Sequence, residues 1–202
     1  MKQKISTTIQ IFSLALMAMA PSWAHAHTGH GTASLMAGLS HPLGADHLLA
    51  MLAVGVWSVS ALPIHKAWHG PMTFIVALML SAVLGNQGLT LPFMEQAIAL
   101  SVVVFGGMLV LATQQRLKDP SWVLGLIAVA ASLHGLAHGA ETPETGFAAY
   151  AIGFLAMTAG LHFGGVAIGF ALRRMLAHHS KLALGGLGSA MAVAGLYLFT
   201  QV

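Results

Sequence analysis

Long apolar stretches alternate along the chain with short polar breaks. A helix that crosses a bilayer needs roughly 20 mainly apolar residues. Six stretches meet that length: residues 33–60, 72–91, 94–113, 121–140, 146–172 and 182–201. The breaks carry Pro, Gly, amide and charged residues, running from Pro63 to Pro71, Asn86 to Pro92, Gln114 to Pro120, Glu141 to Gly146 and Arg173 to Lys181. Such short connections predict one all-α bundle of six transmembrane helices over residues 27–202, with no separate domains.

A seventh apolar run, Ile9 to Ala20, has a different character. Lys2 and Lys4 precede it, Pro21 breaks it, and the small residues of Ser22-Trp23-Ala24-His25-Ala26 follow. This is the order of a secretory signal peptide, assigned to residues 1–26. Cleavage after Ala26 leaves His27 and His30 near the mature N-terminus. Cleavage after Ala24 leaves His25-Ala26-His27, an amine, amide and imidazole set able to chelate a divalent metal.

Charge adds direction. The Lys and Arg that remain beyond residue 26 are Lys66, Arg116, Lys118, Arg173, Arg174 and Lys181, all in alternate loops. The opposite loops hold Glu95, Glu141 and Glu144. The positive-inside rule then puts both mature termini on the periplasmic side of a bacterial inner membrane. Trp68 and Trp122 fall at the inner interface and Tyr150 at the outer one, as an aromatic belt would. Three spans in each half also make the two halves inverted relative to each other.

Composition narrows the chemistry. Of 202 residues, 57% are hydrophobic and 6% charged, too few charges for a soluble domain. The net charge of +3 comes from scattered residues and gives no nucleic-acid surface. Without cysteine there are no disulfides, thiolate sites or iron–sulfur clusters. Imidazole, carboxylate and thioether remain as ligands, and the 12 His outnumber the 8 Lys and Arg together.

Ionisable residues inside a span are costly and usually face a partner or a cavity. They form two clusters here. His41-Pro42-Leu43-Gly44-Ala45-Asp46-His47 lies in the outer half of the first span, where Pro42 and Gly44 loosen the helix and free carbonyls near His41. Asp46 there needs a cation. On a helix Asp46 and His47 point about 100° apart, so one can ligate while the other meets a partner from a neighbouring helix. The 12 Met read mostly as packing residues, although Met51, one turn beyond His47, could serve as a soft ligand. In the fourth span, His134 and His138 are spaced i, i+4 and Glu141 follows at i+3. The three lie within roughly 60° on one helix stripe, a metal half-site. Because spans one and four run in opposite directions, both clusters fall in the same outer half. Both halves thus open with a Gly-interrupted, His-bearing helix, where transporters often place an ion site.

His162, deeper in the fifth span, lies on a line from this outer half toward His65, His69, His178 and His179 in the inner loops. The loop histidines read as ordinary interfacial residues. Gly135 with Gly139, and Gly165 with Gly169, have the small-xxx-small spacing that lets helices approach closely in a bilayer.

His41 to His47, continuing as Leu48-Leu49-Ala50-Met51-Leu52-Ala53-Val54-Gly55, and His134 to Glu141 together resemble the HupE/UreJ family of nickel/cobalt permease-like membrane proteins. The likeness covers essentially the whole mature chain. The family's association with hydrogenase and urease, two nickel enzymes, implies nickel uptake or supply, and nickel-enzyme maturation proteins as partners. The residues by themselves indicate only a divalent borderline metal, since Ni²⁺, Co²⁺, Zn²⁺ and Cu²⁺ all suit His and carboxylate.

Three functions follow. The first is a secondary permease or channel for Ni²⁺ with no prosthetic group, using Asp46, His47, His41, His134, His138 and Glu141, with His162 on the path and His27 and His30 at the entrance. No P-loop is present for ATP hydrolysis. The second is an intramembrane metalloenzyme, against which stands the lack of a nucleophile or acid–base pair apart from the ligands themselves. The third is a metal sensor or delivery protein, for which the loops offer little docking surface.

Overall fold

The structure, a computed structural model, describes residues 34–114, 121–141, 147–176 and 179–202. The signal-peptide assignment, His27 and His30 lie outside them. The described residues form seven α-helices and no strand: α1 (Leu35–Ser40), α2 (Ala45–Ala61), α3 (His69–Asn86), α4 (Met94–Thr113), α5 (Ser121–Ala140), α6 (Phe147–Met175) and α7 (Ser180–Phe199). Five helices are long and apolar enough to cross a membrane, and a sixth span results if α1 and α2 count together.

The helix limits follow the punctuation of the sequence. Helices α4 and α5 occupy the expected ranges because Pro92 and Pro120 sit just ahead of them and polar residues follow. The first span departs from expectation, being broken rather than loosened. A 3₁₀ turn, His41–Leu43, separates α1 from α2, and the two segments are bent by 75°. Pro42 has no N–H to donate, and Gly44 takes an extended conformation (φ −53°, ψ 143°) that ends the turn and begins α2. The carbonyl of His41 is taken by the Gly44 N–H at 3.4 Å, so it is not left free. Ser34 caps α1, accepting the Ala37 N–H at 3.1 Å.

Large apolar side chains such as Leu80, Val129, Ile152 and Leu182 face outward, as lipid contact requires. The centre is occupied by α2, whose Ala50, Met51, Val54, Val56 and Trp57 are all buried. Lipid gives helices no hydrophobic reason to associate, so close packing of small residues must supply it. The broken span packs along α6, α3 along α5, and α4 along α7. Gly135 and Gly139 press against the backbone of Leu78 and Ala82 on α3, and Gly165 against Leu52 on α2. Gly106 and Gly188 each lie against the other's carbonyl.

The described basic residues gather at one end. Arg173 donates from Nη1 to the Val59 carbonyl at 2.9 Å, tying the last turn of α2 to α6. Trp68 and Trp122 are exposed near that end, but Tyr150 does not join an outer belt. It is buried against His41 and Phe154, with ring centroids 5.9 Å and 6.3 Å away.

Candidate metal centre

The break in the first span creates a new helix N-terminus inside the bundle, and the first cluster is assembled around it. Gly44 is the N-cap of α2, which puts Asp46 in the first turn. A carboxylate there is favoured by the helix dipole, by up to about 2 kcal/mol when partly buried. Asp46 Oδ1 accepts two hydrogen bonds from His47, from the backbone N–H at 2.8 Å and from ring Nδ1 at 2.7 Å. The sequence suggests a partner for this pair on another helix, but Asp46 turns to its own neighbour. With Nδ1 donating, the Nε2 of His47 carries the lone pair and points across to α5.

Helix α5 brings the other half. His134 and His138 are buried one turn apart, and His47 is wholly buried beside them. His47 has its ring centroid 4.6 Å from that of His134 and 4.5 Å from that of His138. The Nε2 atoms of His47 and His138 touch. His41, on the far side of the break, places its Nε2 3.0 Å from Nδ1 of His138. Two sets of donors therefore converge. His47, His134 and His138 each offer one ligand atom within 4.8 Å of the others, and so do His41, His138 and Glu141. His138 belongs to both.

All six cluster residues named from sequence come to this one place. Two helpers were not legible there. Ser101 on α4 has Oγ 3.1 Å from His134 Nε2, and it gives its own proton to the Ile98 carbonyl at 2.7 Å. It must then accept from His134 Nε2–H, which leaves the lone pair of His134 on Nδ1. Nothing in the pattern distinguishes Ser101 from a serine that merely bonds its own helix. The second helper is Phe154, which walls the cluster with its ring 4.9 Å from His138 and 5.9 Å from His41. Met51 is buried in the core. His162 is buried on α6 apart from both groups.

Several neutral imidazoles converge here with a nearby carboxylate and no thiolate. That donor set suits a borderline divalent metal better than Ca²⁺ or Mg²⁺, which take oxygen ligands.

The HupE / UreJ protein family pattern matches residues 14–198. The chain belongs to the HupE/UreJ family. It is 38% identical over 197 residues to Protein HupE of Rhizobium leguminosarum bv. viciae, covering 96% of each chain. No solved structure matches it. The expected family membership is thereby shown, and the histidine-lined break described above lies within the matched region of this HupE/UreJ membrane protein.

Proposed function

We propose that this HupE/UreJ protein is a secondary permease or channel that carries Ni²⁺, and Co²⁺ as a close competitor, from the periplasm to the cytoplasm for nickel-enzyme maturation. The reading rests on one observation above all. Three buried imidazoles from α2 and α5 meet where a broken span exposes a helix N-terminus within an apolar bundle. Discontinuous helices commonly hold the ion and substrate sites of transporters, and the Asp46 carboxylate in the first turn offsets the positive end that this break exposes. Imidazole and carboxylate bind Ni²⁺ but release it, as a conducting site must.

The packing supports the inverted arrangement of two three-span halves. The broken span lies on α6 and α3 lies on α5, while α4 lies on α7. Exchanging the first three spans for the last three maps this set of partners onto itself. In the orientation proposed, His41 and Glu141 face the periplasm, beyond His47 and His134, and Arg173 and Lys181 face the cytoplasm.

The test is Ni²⁺ influx into proteoliposomes loaded with a metal-sensitive dye, comparing wild type with His47→Ala. Influx that the substitution abolishes is the expected result. Retained Ni²⁺ with no influx in the wild type overturns the permease reading.

A further inference from the structure

Buried polar atoms almost always find a hydrogen-bond partner, so those without one in the protein itself are positions where a water or an ion would be held. Among the described residues these atoms are Trp57 Nε1, His134 Nδ1, Thr158 Oγ1 and His162 Nε2. His134 belongs to the cluster already described. Thr158 and His162 do not, and they stand one turn apart on one face of α6, both wholly buried. His162 Nδ1 donates to the Thr158 carbonyl at 2.8 Å. That bond fixes the tautomer and leaves the Nε2 lone pair available, which is how metal-ligating histidines are commonly prepared.

The position is as telling as the chemistry. The Phe74 ring of α3 touches both His134 and His162, with centroids 5.6 Å and 4.7 Å away. His162 lies eight residues along α6 from Phe154, the ring that walls His138, which is about 12 Å of helix. Gly55 of α2 lies against the His162 carbonyl, so both helices of the seam meet at this level.

We propose that His162 Nε2 and Thr158 Oγ1 form a second, deeper binding stop for the same divalent metal, separated from the three-histidine group by the Phe74 ring. Its role in transport rests on the permease reading; its metal chemistry does not.

The experiment uses the full chain, with Ni²⁺ alone as probe, measured by equilibrium dialysis in nanodiscs and by influx in proteoliposomes. His162→Phe keeps a ring against Phe74 but has no lone pair. Thr158→Val removes a hydroxyl that has no partner, so a purely structural role predicts no loss of folding or binding. The expected result is a second equivalent of Ni²⁺ on the wild type that His162→Phe loses and Thr158→Val weakens by about tenfold. The first equivalent keeps its affinity, and influx falls in step. Should His162→Phe fail to fold, Thr158→Val alone carries the comparison. Wild-type binding of a single equivalent, or a second equivalent unchanged in the folded variants, overturns the proposal. Absence of influx in every protein would instead overturn the permease reading, with the stoichiometry still deciding this site.

Discussion

The carboxylate of Asp46 holds the ring of His47, the next residue in the chain, through a 2.7 Å bond to Nδ1. The pair is a single device: the acid fixes the tautomer, and the imidazole presents Nε2 to α5. Asp46→Asn removes the charge and can donate as well as accept, so the ring loses its fixed tautomer. Ni²⁺ affinity is expected to fall by about 10–100-fold with the bundle still folded. Equilibrium dialysis on monodisperse protein checks it, and an unchanged affinity would remove Asp46 from the site.

Ser101→Ala deprives the buried His134 Nε2–H of its acceptor. An unsatisfied buried donor costs about 1–3 kcal/mol, and the ring is free to swap tautomers. Lower thermal stability and weaker Ni²⁺ binding are both expected. Titration and unfolding in the same detergent separate the two effects, and loss of neither would mean that Ser101 serves only its own helix.

Acid should empty the site. Metal binds the neutral imidazole, and protons compete for the same lone pair. Binding is therefore expected to weaken as the pH is lowered, the sign being set by proton competition at the histidine nitrogens. Equilibrium dialysis over a descending pH series reads the loss directly. An affinity that stays constant down to the pH at which the protein unfolds would remove the histidines from the ligand set.

Two glycine substitutions should separate packing from propensity. At Gly135 an added methyl would run into the Leu78 carbonyl and the Ser81 hydroxyl, so Gly135→Ala must force α3 and α5 apart. A loss of about 1–3 kcal/mol is expected. At Gly160 nothing lies within 4 Å, and Gly160→Ala should be neutral or stabilise α6 by up to about 1 kcal/mol. Equal thermal shifts for the two would contradict the close seam.

Much of this was legible in the chain itself. The prolines before α4 and α5 marked both helices, and the His134, His138 and Glu141 spacing marked a shared stripe. The clusters met because spans one and four run in opposite directions. The break at Gly44 was only half legible, since a loosened helix and a severed one share the same Pro and Gly. Ser101, Phe74 and Thr158 were invisible, because a serine, phenylalanine or threonine in an apolar span has no pattern of its own. What gives each its role is the register between helices, and local sequence does not encode register. Tyr150 failed for the same reason, since an interfacial tyrosine and one stacked beneath a broken helix look alike in sequence.

His138 stands in both donor groups, facing His41 with one ring nitrogen and His47 with the other. A neutral imidazole has a single in-plane lone pair, because its other nitrogen carries the proton. A neutral His138 can therefore serve a cation on one side only, and changing sides requires it to lose the proton from one nitrogen and take one up at the other. While His138 stays neutral the two donor groups exclude each other, so a cation held by one leaves the other a ligand short.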